Sequence, residues 1–323
     1  MSLSRYIAGR VLQLVPLLIA VVVISFAIVH LAPGDPATVL AGPTATNEYI
    51  EEVRVRYGLD QSTLQQFLDY VGQLVRLDLG QSFSTNQPVL EVLLSRLPAT
   101  LLLIVASELL GLVLGMVLGT MAAQRWGSPA DRLISGGSLA LASMPVFWLG
   151  MLLILLFSVQ WQLLPSSGMS DPFVEPGTWA AFEDLLKHLL LPVVTLTAAW
   201  TLPTYLRITR AGVLQSARED FVRTARAKGA SETRVYFAHA LRTARLPVIT
   251  LAGLNFGLAV TGAVLTETLF GWPGVGQTLN QAILSRDYPL MMGIFLLAGV
   301  GVAVANLVTD VVNAFLDPRV SIR

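Results

Sequence analysis

Apolar residues gather in six long runs, roughly 11–31, 99–123, 134–159, 185–208, 246–265 and 290–312, separated by polar stretches of very unequal length. A helix needs about 20 mostly apolar residues to cross a bilayer, and each run reaches that length. The pattern predicts an all-α, polytopic membrane protein with six transmembrane helices. Arg5 and Arg10 precede the first run as they would in a signal peptide. That run is too long for one, and no small-x-small cleavage site ends it, so it is read as the first span.

The polar stretches divide the chain further. Residues 1–31 form the N-terminus and first span, and residues 32–98 are too long for a simple connection. That connection opens with Pro33-Gly34-Asp35-Pro36, which stops a helix. Leu64, Phe67, Leu68, Val71, Leu74 and Val75 then make an apolar stripe, with Asp60 or Ser62 as cap. This predicts a small amphipathic helical insertion. A five-helix core follows over 99–317, containing a basic loop at 209–245, and residues 318–323 form a tail.

The basic loop reads as a helical elbow. Ala217, Phe221, Val222 and Ala225 fall near helical spacing, Lys228 suits the last turn, and Gly229 is placed to stop the helix. Ser231 is placed to cap a second helix, with Glu232 in its first turn and Val235, Tyr236, Ala238, Leu241 and Ala244 as apolar contacts. An amphipathic elbow of this kind suits docking into a groove of a soluble partner.

Within the spans, Gly111, Gly115 and Gly119 recur every four residues and predict a face that another helix approaches closely. Glu108 starts the same face. A carboxyl at membrane depth is costly against lipid and belongs either to a translocation path or to a hydrogen-bonded helix contact. Ser143-Met144-Pro145 predicts a kink in the third span.

Composition and charge narrow the function. Charged residues are 13% of the chain, against about 25% in soluble domains. There is no cysteine, and His30, His188 and His239 lie far apart, so no metal cluster is predicted. Neither Lys187 nor Lys228 sits in a G-x-x-x-x-G-K-[ST] loop, so that route to ATP is closed. With both termini placed in the cytosol, 15 of the 21 Lys and Arg fall on the inner side. This bias puts the elbow in the cytosol. A DNA-reading helix pair would be basic too, but its readers would be pinned between two spans.

The wording RTARAKG, with HALR and LPV after it, resembles the cytoplasmic coupling loop of ABC-importer permeases of the dipeptide/oligopeptide/nickel subgroup. The broader importer form of that loop, Glu-Ala-Ala followed by Gly, is kept here only at Ala225 and Gly229. LAPGDP, LDLGQSF, RLPATL, ETLF, PGVGQ, RDYP and the terminal Asp317-Pro318-Arg319 extend the resemblance over nearly the whole length.

The resemblance implies a type I ABC importer permease fold in the plasma (inner) membrane. It implies one half of a translocation pathway for di- or oligopeptides, with nickel or another small solute as the alternative cargo. A second homologous permease, two cytosolic ATPases using ATP and Mg, and an extracytoplasmic substrate-binding protein would be its partners. The outer loops would receive the binding protein. Asp220, Arg223, Ala225, Arg226, Lys228, Gly229, Ala230 and Ser231 would meet the ATPases. The chain itself would be no enzyme, hold no cofactor and bind no nucleic acid. A secondary transporter would usually show internal repeats and broken spans, and would leave the elbow unexplained.

Overall fold

The computed structural model describes residues 3–31, 35–42 and 44–316, with side chains outside 3–14, 36, 39, 254, 256–262 and 310–316. The expected tail at 318–323, Pro33-Gly34 and the side chains of Arg5 and Arg10 lie outside that description. The described chain is helical and holds no strand, only one antiparallel bridge between Gln81 and Pro88. It forms two compact units, one up to Thr100 with Pro273–Val304, the other Leu101–Trp272 with the chain from Ala305.

In the first unit, α1 (Leu3–Leu31) buries Val22, Phe26 and Val29, spaced to share one face. These pack with Tyr70 of α4 (Thr63–Val75) and with Val89, Val92 and Leu93 at the start of α5 (Val89–Gln124). Val275 and Ala282 of α13 (Val275–Ser285) and Met291, Met292 and Ile294 of α14 (Tyr288–Leu316) complete the core. Ser62, not Asp60, caps α4, accepting from the Gln65 amide at 3.3 Å. Only Phe67, Val71 and Leu74 of the predicted stripe pack inward; Leu64, Leu68 and Val75 are exposed. The short helices α2 (Pro36–Ala41) and α3 (Asn47–Arg56) precede it, Asp35 capping α2 through the Ala37 amide at 3.0 Å.

Helix α5 runs through Pro98, its tenth residue, at the cost of one hydrogen bond of its ladder, so one helix joins residues 89–98 to the second apolar run.

The second unit holds α6 (Pro129–Ser143), α7 (Val146–Leu153) with its π-helical continuation Ile154–Gln160, and α8 (Trp179–Leu196), which passes through a π segment, Thr197–Thr201, into α9 (Leu202–Ser216). Then come α10 (Asp220–Ala227), α11 (Glu232–Arg234), a π segment Val235–Ala240 and α12 (Leu241–Leu269).

On their described residues, Val89–Gln124, Trp179–Ser216 and Tyr288–Thr309 are long and apolar enough to cross a membrane. The third predicted span is broken: α6 and the helix from Val146 to Gln160 meet at 103° at Met144-Pro145. Pro145 cannot continue the ladder of α6 and biases Met144 to extended backbone, found at φ −82°, ψ 134°. This bend is a break where the sequence predicts a kink.

Candidate functional site

Two features of the second unit meet the requirements read from the sequence: a helix seam at membrane depth, and the elbow after α9.

The seam joins α5 to the α8–α9 helix. A Cβ added at Gly115 would lie 2.6 Å from Tyr205 Cβ, and one at Gly119 2.7 Å from the Leu206 carbonyl oxygen. At Gly111 it would collide with the Thr201 hydroxyl. The contacts 111 to 201, 115 to 205 and 119 to 209 rise together in steps of four, so the two helices run parallel in one register. Glycine is required here because backbone meets backbone, not because of an unusual φ.

One turn above, the seam is polar. Glu108 is 7% exposed and accepts from the Tyr205 hydroxyl. Asn255 of α12 donates to the same hydroxyl at 3.3 Å. Side chains on a helix lean towards its N-terminus, which lets Tyr205 reach back to Glu108 while its Cβ sits beside Gly115. Beside them, the Thr197 and Thr201 hydroxyls donate to the Ser107 carbonyl at 3.2 and 3.3 Å. Glu108 thus has a direct partner in Tyr205, which Asn255 ties to a third helix.

Further along, Arg210 grips Asp131 at the start of α6 with Nε and Nη2, at 2.7 and 2.8 Å. Asp131 also accepts from the Gly127 amide at 2.9 Å and from the Ser135 hydroxyl at 3.2 Å. Its carboxylate is nearly buried, so this bidentate pair fixes α6 on α9.

The elbow is α10, a glycine stop and α11. Gly229 has φ +80°, where L residues are strained, and its amide donates to the Arg226 carbonyl at 2.9 Å. The Ala230 amide reaches the Ala225 carbonyl at 3.2 Å, closing the stop. Ser231 occupies the capping position with extended backbone, but its side chain makes no capping bond. This corrects the sequence expectation for Ser231. Glu232 instead holds Arg226 through two bonds of 2.9 and 3.1 Å, and Arg226 lies 5.9 Å above the Tyr236 ring. The hydrogen bond to Glu232 raises the Arg226 guanidinium further above its usual range.

Val222 and Ala225 of α10 are buried with Ala123 of α5, Val213 of α9, Val235 and Ala240 of the π segment, and Ala244 of α12. The elbow is therefore packed directly on the ends of three long helices. Its opposite face carries Asp220, Phe221, Arg223, Arg226, Lys228, Gly229 and Ser231, all exposed, with Ala230 half-buried. Phe221 and Ala238 do not join the packed stripe that the sequence assigned them to. No group of three metal-ligating side chains occurs among the described residues.

Sequence reasoning singled out Glu108 and the glycines but missed Tyr205, Asn255 and the Asp131–Arg210 pair. For Tyr205 and Asn255 a polar group inside an apolar run was the available signal; Asp131 and Arg210 lie just outside the runs at 134–159 and 185–208 and carried none.

The family model described as "Binding-protein-dependent transport system inner membrane component" matches residues 115–322, and its N-terminal counterpart matches residues 3–104. The chain is 41% identical to the di/tripeptide transport system permease protein of Pseudomonas aeruginosa (strain UCBPP-PA14) over 330 residues, covering 98% of each chain. It is 37% identical to the dipeptide transport system permease protein of Escherichia coli (strain K12), again over 98% of each. Among solved structures, an inward-facing form of the MetNI methionine ABC transporter matches with TM-score 0.56 at 18% identity, covering 71% of this chain and 97% of that one. That likeness supports the permease fold alone.

Proposed function

The chain belongs to the family of binding-protein-dependent transport system inner membrane components, and on that premise we propose that it is the transmembrane permease subunit of an ATP-driven importer for di- or oligopeptides. The observation that carries the peptide reading is the end-to-end identity of 41% with a di/tripeptide permease. Such a subunit is not an enzyme. It supplies half of a pathway, and its complex would include a second permease, two ATPases that bind ATP and Mg, and an extracytoplasmic binding protein.

Both termini and the elbow lie in the cytosol in this reading, and residues 32–98 face the other side. The exposed face of the elbow, with Asp220, Arg223, Arg226, Lys228 and Gly229, enters a groove of the ATPase. Ala225, Ala230 and Ser231 shape that contact from behind or at its edge. Closing of the ATPases then moves α10, and because Val222 and Ala225 are packed against α5, α9 and the π segment before α12, the long helices move with it. The result is a shift in population between inward- and outward-facing states. Glu108 takes part as a buried link in the seam, and it lines the path only in a state where that seam opens.

The experiment is uptake of labelled dipeptide and tripeptide by the complete complex in proteoliposomes, with and without ATP. ATP-dependent accumulation that requires the binding protein is the expected result. Accumulation of neither peptide, with intact complex, would refute the peptide reading.

A further inference from the structure

The second unit carries a cavity of about 430 Å³ beside the seam, whose lining includes neither Glu108 nor any residue of the elbow. Small-ligand sites commonly span about 300–1,000 Å³. Ser135 and Ser138 of α6 line one wall; Trp200, Thr204, Arg207 and Arg210 line the other. The last four are spaced four, three and three apart, so they share one helix face. Trp200 lies in the π segment that interrupts this helix. Such segments shift the phase of the residues after them and recur at functional sites.

The two arginines differ. Arg210 is satisfied by Asp131 through two short bonds. Arg207 is exposed and makes no ion pair among the described residues. No carboxylate lines the cavity. A guanidinium on a membrane helix belongs against water, protein or an anion rather than hydrocarbon, and its fork matches a carboxylate bidentately.

The hydroxyls have a fixed polarity. Ser135 donates to Asp131 at 3.2 Å and Thr204 donates to the Trp200 carbonyl at 3.0 Å. Both therefore face the cavity as acceptors, suited to N–H groups. Trp200 is 54% exposed and offers a flat apolar face. An anion with an adjacent N–H and an apolar side chain fits this set, which describes the C-terminal residue of a short peptide.

We propose that this cavity is a substrate-reading site within the membrane subunit. Arg207 binds the terminal carboxylate, and Trp200 packs against the neighbouring side chain. The inference rests on the peptide reading and adds that the permease itself discriminates, in addition to its binding protein.

The test uses the whole importer in proteoliposomes of phosphatidylethanolamine and phosphatidylglycerol. The probes are radiolabelled trialanine and its C-terminal amide, with occupancy of the binding protein matched for both. Arg207→Gln should slow trialanine uptake on the order of tenfold, the scale of one charge-assisted bond, and leave the amide within about twofold. Arg207→Lys should recover part of the loss. Equal slowing of both probes, or of neither, would overturn the inference while wild-type trialanine uptake upheld the peptide reading. Wild-type uptake of neither probe would overturn both.

Where Arg207→Gln does not assemble, or the binding protein will not deliver the amide, benzoylphenylalanine at position 200 decides. The expected product is a trialanine adduct that excess trialanine suppresses and the amide does not. A phosphatidylglycerol adduct alone would assign Arg207 to a lipid headgroup and overturn the proposal.

Discussion

The Tyr205 hydroxyl donates to the Glu108 carboxylate across a seam in which the Tyr205 Cβ also lies against Gly115. One residue therefore joins the polar and the glycine parts of the contact. Removing the hydroxyl by Tyr205→Phe leaves a buried acceptor unmet, a loss of about 1–3 kcal/mol. Thermal unfolding in detergent should show a lower midpoint. Glu108→Gln keeps an acceptor for Tyr205 and should cost less. A double-mutant cycle on the two positions should give a coupling above about 0.5 kcal/mol; strict additivity would show that the bond is not made. If the seam opens onto the path during transport, Glu108→Gln also changes uptake of cationic peptides more than of neutral ones.

Gly115→Leu places a branched side chain where even a Cβ would be 2.6 Å from its neighbour. Overpacking of this kind costs about 1–3 kcal/mol. The variant should reach the membrane yet lose assembly in detergent and melt earlier. Gly136→Leu is the control, since nothing lies within 4 Å of a Cβ there. Equal behaviour of the two would mean that the glycine face meets lipid.

Asp287 is fully buried at the start of α14 and serves two elements at once. It accepts from the Ser82 hydroxyl at 2.6 Å, the Ser84 hydroxyl at 2.7 Å, and the Ser84 and Leu290 amides at 3.0 and 3.2 Å. One carboxylate thus caps a helix and pins the loop before α5. Asp287→Asn turns half of the acceptor into a donor facing hydroxyls and amides. Loop 80–88 should then exchange amide hydrogens at least tenfold faster, a change of about 1.4 kcal/mol in local opening, with little change around α9.

How much of this was legible in the sequence follows from what periodicity encodes. Gly111, Gly115 and Gly119 at steps of four define a face whatever it meets, and a run of about 20 apolar residues defines a helix. Periodicity does not say which helix is the neighbour, so Tyr205 and Asn255, 97 and 147 positions from Glu108, were out of reach. The stop at Gly229 was readable because one residue's φ decides it. The cap at Ser231 was not, because Glu232 is engaged with Arg226 across the turn and the hydroxyl makes no capping bond. Pro145 announced a disturbance but not its angle, which one residue's missing donor does not fix.

Topology gives a direct labelling experiment. Single cysteines at Ser62 and Gln277 should react with an impermeant thiol reagent added to intact cells, and one at Ser231 only after permeabilisation. Both Ser62 and Ser231 are exposed, so accessibility to the reagent, not burial, sets the result. Reaction of Ser231→Cys in intact cells would invert the orientation.

The elbow offers a graded test, because Gly229 combines two properties that separate under substitution. Its backbone is left-handed at φ +80°, and nothing lies within 4 Å of where a Cβ would be. Strain and bulk can therefore be varied one at a time. Asn tolerates the left-handed region, so Gly229→Asn should keep the stop, the fold and transport. Ala does not, and Gly229→Ala should lose about 1–2 kcal/mol locally while adding only a methyl group to the docking face. Its uptake should fall modestly and recover at lower temperature. Trp adds the same strain and a side chain that a groove shaped for glycine cannot admit. Gly229→Trp should insert and fold, fail to retain the ATPases on purification, and lose the link between ATP hydrolysis and peptide uptake. The order of uptake expected at matched protein levels is wild type, Asn, Ala, Trp. Gly229→Trp with normal ATPase retention and normal uptake would show that this face of the elbow is not where the ATPase docks, and the search would move to the other exposed segments of the cytosolic side.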